Sequence, residues 1–262
     1  MEKIGIINVS VSNHYRDPSS QSEIVTQGCL GERVAILEEQ ENHTLIRQVD
    51  NYQSWIPEDQ LVSGVAAVTG EKVTVLSHFV RIYSQPAESS PAIRDAVIGS
   101  RLTTCGETGE WYKIVLPDGI VGWAEKKHFG AILELSAKNI ISLASDFLGY
   151  PYFWGGISPR GFDCSGFVQT VFKLHGIQLP RDAWQQQQNN LVSTNRFDAQ
   201  PGDVLFFSRT PEKVTHVAIA LGNQRYIHAS GWVRIDSFDE SDPLFTRQRA
   251  ATFTSVNRYL PS

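Results

Sequence analysis

A repeat with a fixed spacing of 68 residues runs through the first half of the chain. Tyr15-Arg-Asp-Pro18 aligns with Tyr83-Ser-Gln-Pro86, Gly31 with Gly99, Val34 with Leu102, Ile46 with Ile114 and Trp55 with Trp123. No gap interrupts the register, which argues for two copies of one fold. In each copy, short apolar stretches are split by turn residues: RVAILEE, HTLIRQV and SWIPE in the first, SRLTTC, WYKIVL and VGWAE in the second. β-Branched residues and period-two alternation predict strands. Pro117-Asp118-Gly119 marks a turn, since proline fixes φ and glycine admits positive φ. Copies this short sit near the lower limit for independent folding, so small barrels that lean on their neighbours are expected. Trp55 and Trp123 are read as core anchors, and Cys29 and Cys105 as small core hydrophobes.

After Gly130 the pattern changes. Ser136 is placed to cap a helix with Ile140, Ile141, Ala144, Phe147 and Leu148 on one face, ended by Gly149 and Pro151. A second helix is predicted from about Cys164 to His175, with Phe167, Val168, Val171 and Phe172 as its apolar face and Gly176 as its stop. Strands are predicted at 203–207, 215–222, 225–230 and 251–259. Helices followed by an antiparallel sheet give an α+β order, not alternating βαβ. The expected fold is therefore multidomain: two small β-barrels at 1–64 and 65–130, then an α+β domain at 131–262.

Composition removes several function classes. A hydrophobic content of 41% and an aromatic content of 10% suit packed cores. A net charge of −5, without a Lys/Arg cluster, argues against a nucleic-acid partner. The three cysteines form neither a disulfide framework nor a CxxC pair. No apolar segment approaches the roughly 18–20 residues that span a bilayer. The N-terminal apolar run is short and broken by Asn8 and Ser10, unlike a signal peptide. A cytoplasmic protein with no membrane partner is expected.

Cys164 opens its helix, where unsatisfied N–H groups and the macrodipole favour negative charge, so a lowered thiol pKa is expected. Gly155, Gly156 and a Ser-Pro turn precede it, which predicts an open approach for a substrate and for backbone donors to an oxyanion. His216 begins one strand and His228 ends the next, each six residues from Gly222. A hairpin turning near Gly222-Asn223 brings them opposite each other on one face. One is then able to act on the thiol while the other fixes its tautomer. Ala218 and Ala220 on that face are small enough to admit the helix. Zinc could bind two histidines and a thiol, but no further ligand has a characteristic local spacing, and no metal or cofactor is expected.

The motifs YPYFWGG (150–156), FDCSGF (162–167), LPRD (179–182), PGDVLFF (201–207), His216-Val217 and Tyr226-Ile-His228-Ala229 together resemble the NlpC-type family of papain-like cysteine peptidases that cleave bacterial cell-wall peptides. The repeats resemble bacterial SH3-like domains, and the whole layout resembles the family's cytoplasmic recycling members. The resemblance implies Cys164 as nucleophile, His216 as base, His228 as its orienting residue and Tyr152 at the oxyanion site. It also implies cleavage between γ-D-glutamate and an L-diamino acid, diaminopimelate or lysine, in murein tri- and tetrapeptides with a free N-terminal L-alanine. Asp163 and Ser165 match residues that bind the substrate end, and a carboxylate suits an ammonium, while Asp163 also suits a helix N-cap. Tyr52 matches a tyrosine of the first SH3-like domain that meets the amine. Glu23 is the candidate acidic partner, with a plain surface role as the alternative. Ala183 stands where some relatives have serine, and Ser54 replaces the usual glycine before tryptophan.

Two other function classes fit parts of the chain. A papain-like amidase or acyltransferase would use the same thiol. A wall-binding module with an inert C-terminal domain would ignore it, and the intact Cys/His/His set argues against that reading.

Overall fold

Each copy of the repeat forms seven strands. The first set is β1 (Ile4–Ile7), β2 (Val11–Tyr15), β3 (Ile24–Cys29), β4 (Arg33–Gln40), β5 (His43–Arg47), β6 (Gln53–Pro57) and β7 (Leu61–Ser63), ordered β3-β2-β6-β5-β4-β1-β7. The second is β8 (Glu71–Val75), β9 (Phe79–Tyr83), β10 (Ala92–Val97), β11 (Arg101–Thr108), β12 (Trp111–Val115), β13 (Val121–Glu125) and β14 (Phe129–Gly130), ordered β10-β9-β13-β12-β11-β8-β14. Strands β2 to β6 and β9 to β13 keep the sequence spacing, so the repeat is structural. These are the two SH3-like domains. The computed structural model describes residues 2–63, 70–188, 190–210 and 213–260. The expected boundary between residues 64 and 65 lies outside the described residues.

Ile7, Val34, Ile46 and Ile56 form the core of the first copy. The core of the second includes Val75, Ile82, Leu102, Ile114 and Ala124, and also takes in Leu30 from the first copy. Gly31, at φ +83°, follows Leu30, and a Cβ there would lie 2.4 Å from the Arg101 carbonyl oxygen. Ser10 donates to Asp95 at 2.9 Å across the same junction. Both copies accordingly belong to one compact unit, Met1–Ile132.

Two sequence expectations need correcting here. Cys105 is exposed, because β11 is irregular between Thr104 and Glu107 and its outer half is solvated. Trp123 lies on the face of β13 opposite the core residue Ala124; it is half-buried beneath Lys113, 5.9 Å from the ring centroid. Trp55 is buried, paired across the sheet with Leu45 and Tyr15, and Cys29 is buried. The serine in place of glycine at position 54 sets its hydroxyl 3.2 Å from Nδ1 of the buried His14.

The second unit, Leu133–Ser262, is α+β. Helix α1 (Ala137–Asp146) is capped by Ser136, whose hydroxyl accepts from the Asn139 N–H at 3.2 Å. Its buried face is Ile140, Leu143 and Ala144, continued by Phe147; Ile141 is half-buried and Leu148 is exposed, contrary to expectation. A two-residue ladder, β15 (Ile157–Ser158) with β16 (Gly161–Phe162), leads into α2 (Cys164–Leu174), which is buried almost throughout. After α3 (Ala183–Gln187) come β17 (Leu191–Ser193), β18 (Val204–Phe207), β19 (His216–Gly222), β20 (Arg225–Ser230), β21 (Trp232–Ser237), α4 (Arg247–Thr252) and β22 (Phe253–Asn257). The antiparallel sheet runs β17-β22-β18-β19-β20-β21, and α2 packs against β19 and β20. The expected strand at 251–259 shortens to β22, because α4 occupies its first two positions. Among the described residues no helix is long and apolar enough to cross a membrane.

Candidate active site

The α2 N-terminus is built by a tight backbone clasp. Asp163 is the N-cap, accepting from the Gly166 N–H at 2.7 Å, and its other oxygen accepts from the Gly155 N–H at 3.0 Å. The Asp163 N–H donates to the Gly156 carbonyl at 3.0 Å. A Cβ on Gly166 would meet that same carbonyl oxygen at 2.1 Å. Before the thiol, a Cβ on Gly156 would lie 2.1 Å from the Gly161 carbonyl oxygen, so that glycine serves close backbone packing and does not open space as expected. Arg181, 2% exposed, closes the clasp: Nη2 donates to Asp163 Oδ2 at 2.5 Å, and Nη1 donates to Oδ1 at 3.2 Å and to Ser165 Oγ at 2.9 Å. The Ser165 hydroxyl donates to Asp163 Oδ1 at 3.2 Å.

Cys164 is buried, with its sulfur held by the backbone N–H groups of Val217 and Ser165. The first of these belongs to the residue after His216, so β19 and α2 meet at the thiol. Burial pushes the thiol up to about 12, the Asp163 charge adds to this, and the backbone donors oppose it. The lowered pKa expected from the helix terminus is thus reversed: desolvation of a thiolate outweighs the local dipole. Tyr152 is half-buried, and its phenol is pushed up first by burial and then by the charges at Cys164 and Asp163, so it stays a hydrogen-bond donor.

His216 Nε2 lies 2.6 Å from His228 Nδ1, and His228 Nε2 lies 3.1 Å from Asp236 Oδ2. The hairpin pairs Ile219 with Ile227 and Ala220 with Tyr226, and it turns at Asn223-Gln224, both at positive φ. That register aligns His228 with Ala218, so the two histidines share a face but lie diagonally, not directly opposite. The cause is the turn at Asn223-Gln224, one residue beyond the expected Gly222-Asn223, while the irregularity between Ala220 and Gly222 keeps the two histidines on one face. Ala218 and Ala220 do not admit the helix; they pack with Leu205, Phe207, Tyr226 and Phe238. Burial drives His216 well below its ordinary value, and the neighbouring His228 adds to this. Burial also lowers His228, against the pull of Asp236. Asp236 is held down to about 2 by His228 and by Arg234, 3.1 Å away, although burial opposes this.

Asp236 was missed in the sequence. Its signal was the short turn at Gly231, which pairs His228 with Arg234 and Tyr226 with Asp236 across β20 and β21. Among the described residues no three His, Cys, Asp or Glu side chains are grouped to hold a metal. Tyr52 and Glu23 lie in the first unit. Tyr52 follows a turn at Asn51, its N–H donating to Asp50 at 3.0 Å, and Glu23 pairs with Arg16 at 2.7 Å.

Comparison with known proteins follows the same division. Residues 149–248 match the NlpC/P60 family, residues 14–61 the bacterial dipeptidyl-peptidase Sh3 domain and residues 78–129 the bacterial SH3 domain. A gamma-D-glutamyl-L-lysine dipeptidyl-peptidase of Bacillus cereus is 30% identical, covering 93% of this chain and 77% of that protein. Dipeptidyl-peptidase 6 of Lysinibacillus sphaericus is 29% identical, covering 96% and 97%. The crystal structure of an NlpC/P60 family protein from Bacillus cereus superposes with a TM-score of 0.86, covering 98% of this chain and 100% of that one at 26% identity.

Proposed function

Because this chain belongs to the NlpC/P60 family of cysteine peptidases, we propose that it hydrolyses the γ-D-glutamyl-L-diamino acid bond of murein stem peptides with a free N-terminal L-alanine. The observation that carries the reading is the relay behind the thiol: Cys164 at the α2 N-terminus, the 2.6 Å His216–His228 contact and Asp236 beyond it.

The relay fixes the protons. A carboxylate only accepts, so His228 carries hydrogen on Nε2, facing Asp236. Neutral His228 then offers a bare Nδ1 to the Nε2–H of His216. That leaves Nδ1 of His216 as the free lone pair, and it is the base. With the thiol high and His216 low, the resting pair is neutral SH and imidazole. The sulfur bonds to the substrate carbonyl carbon as its proton passes to His216 Nδ1. The oxyanion meets the Tyr152 hydroxyl and the Cys164 N–H at the helix terminus. His216 returns the proton to the departing amine, the C–N bond breaks and a thioester remains. Water, deprotonated by His216, attacks the thioester and releases the L-Ala-D-Glu dipeptide and the thiol.

In this reading Asp163, Ser165 and Tyr52 hold the free ammonium, with Glu23 contributing charge, and the Arg181 pair keeps the Asp163 carboxylate in position. A free-amine requirement suits peptides already cut from their sugars, and so a cytoplasmic recycling role.

The test is incubation with L-Ala-γ-D-Glu-diaminopimelate, with and without an N-acetyl cap, read by mass. Cleavage of the free peptide alone, abolished in Cys164→Ala, is the expected result. Cleavage of both discards the amine requirement. A cut at the sugar–peptide amide of a muropeptide, with no cut in either peptide, would replace the reading with an amidase.

A further inference from the structure

Arg249, on α4, has no part in the chemistry above. Its guanidinium is half-buried and lies 5.8 Å from the Phe207 ring centroid. That same ring is 5.7 Å from His216, and Phe207 pairs with His216 across β18 and β19. Arg249 Nη2 donates to Ser230 Oγ at 3.3 Å, two residues along β20 from His228. Among the described residues it forms no ion pair; Asp236, whose charge it feels, is held by His228 and Arg234. Its charge also reaches Cys164, Tyr152, His216 and His228.

A guanidinium carries five N–H donors in a planar fork that matches a carboxylate. Here one serves a serine, and among the described residues no carboxylate of the chain pairs with the rest. Such a group at the rim of a peptidase site is built for a ligand carboxylate. We propose that Arg249 binds the α-carboxylate of the residue that leaves, making a free C-terminus on the diamino acid a recognition element.

The assignment to the leaving side follows from His216. That histidine protonates the departing amine, and in an α-amino acid the amine and the carboxylate share one carbon. Arg249 borders the same phenylalanine as His216, whereas Asp163 and Ser165 serve the opposite, amine end of the substrate. The guanidinium also opposes protonation of His216. A carboxylate bound to it relieves that opposition, so the base is strengthened when a substrate with a free C-terminus is in place.

This inference rests on the peptidase reading. Its test compares L-Ala-γ-D-Glu-L-Lys with the C-terminal amide of the same peptide, for wild type, Arg249→Gln and Arg249→Lys. Lysine carries no side-chain carboxylate, so only the α-carboxylate differs. Wild type is expected to favour the acid by about 10- to 100-fold in kcat/KM, the worth of a charge-assisted pair. Arg249→Gln brings the acid-to-amide ratio near one, and Arg249→Lys keeps part of the preference. An equal loss on both peptides in Arg249→Gln, or a wild type indifferent to the C-terminus, overturns the proposal while leaving the peptidase intact. Cleavage of neither peptide by wild type overturns the peptidase reading and this inference with it.

Discussion

Arg181 grips both oxygens of Asp163, Nη2 to Oδ2 at 2.5 Å and Nη1 to Oδ1 at 3.2 Å, one residue before Cys164. Both side chains are buried. Removing one partner strands a buried charge at the helix terminus. Arg181→Met is expected to cost about 3–5 kcal/mol. Arg181→Lys also destabilises, since an ammonium cannot span the two oxygens. Urea unfolding of the full chain measures both.

In the proposed mechanism His228 acts on the substrate only through His216. His228→Ala is expected to lower kcat by about 10²–10⁴-fold with little change in KM, because the base loses its tautomer and orientation. Asp236→Asn frees the His228 tautomer and is expected to lower kcat by about 100-fold. A KM effect as large as the kcat effect would show that these residues bind substrate.

The resting thiol is expected to alkylate slowly at neutral pH. Burial pushes Cys164 up to about 12, so the iodoacetamide rate keeps climbing above pH 9. A plateau near neutrality would mean a preformed thiolate–imidazolium pair. The depressed His216 keeps its base form into acid, so the acid limb of kcat/KM falls well below pH 6.5.

His14, buried in the first barrel, is lowered from 6.5 to about 3 by burial. Between those values the unfolded chain binds a proton that the folded chain does not. Stability is therefore full above about pH 6.5 and falls as the pH drops, by about 1.4 kcal/mol per unit from this residue. Melts from pH 7 to 4, compared with His14→Gln, isolate the slope.

The sequence was most legible where one residue type answers one local demand. The repeat showed because Gly31 and Gly99 share a positive φ and Ile46 and Ile114 share a buried position. The histidine pair showed because strand periodicity puts both near one face, but the turn falls one residue later, at Asn223-Gln224, and that makes them diagonal. Asp236 stayed hidden because nothing in its own segment marks it until the turn at Gly231 sets β21 beside His228. The thiol was misjudged because helix position is written in the sequence and burial is not. Cys105 went astray because a strand that outruns its barrel looks like one that does not, and Trp123 because its position alone does not say which face of β13 meets the core.

Leu30 belongs by sequence to one barrel and by packing to the other. A duplicated domain usually leaves two modules that can be shuffled, lost or grafted separately. This exchange of one side chain removes that freedom, because excising the first copy would leave a hole in the second. The pair is therefore expected to melt as one cooperative block.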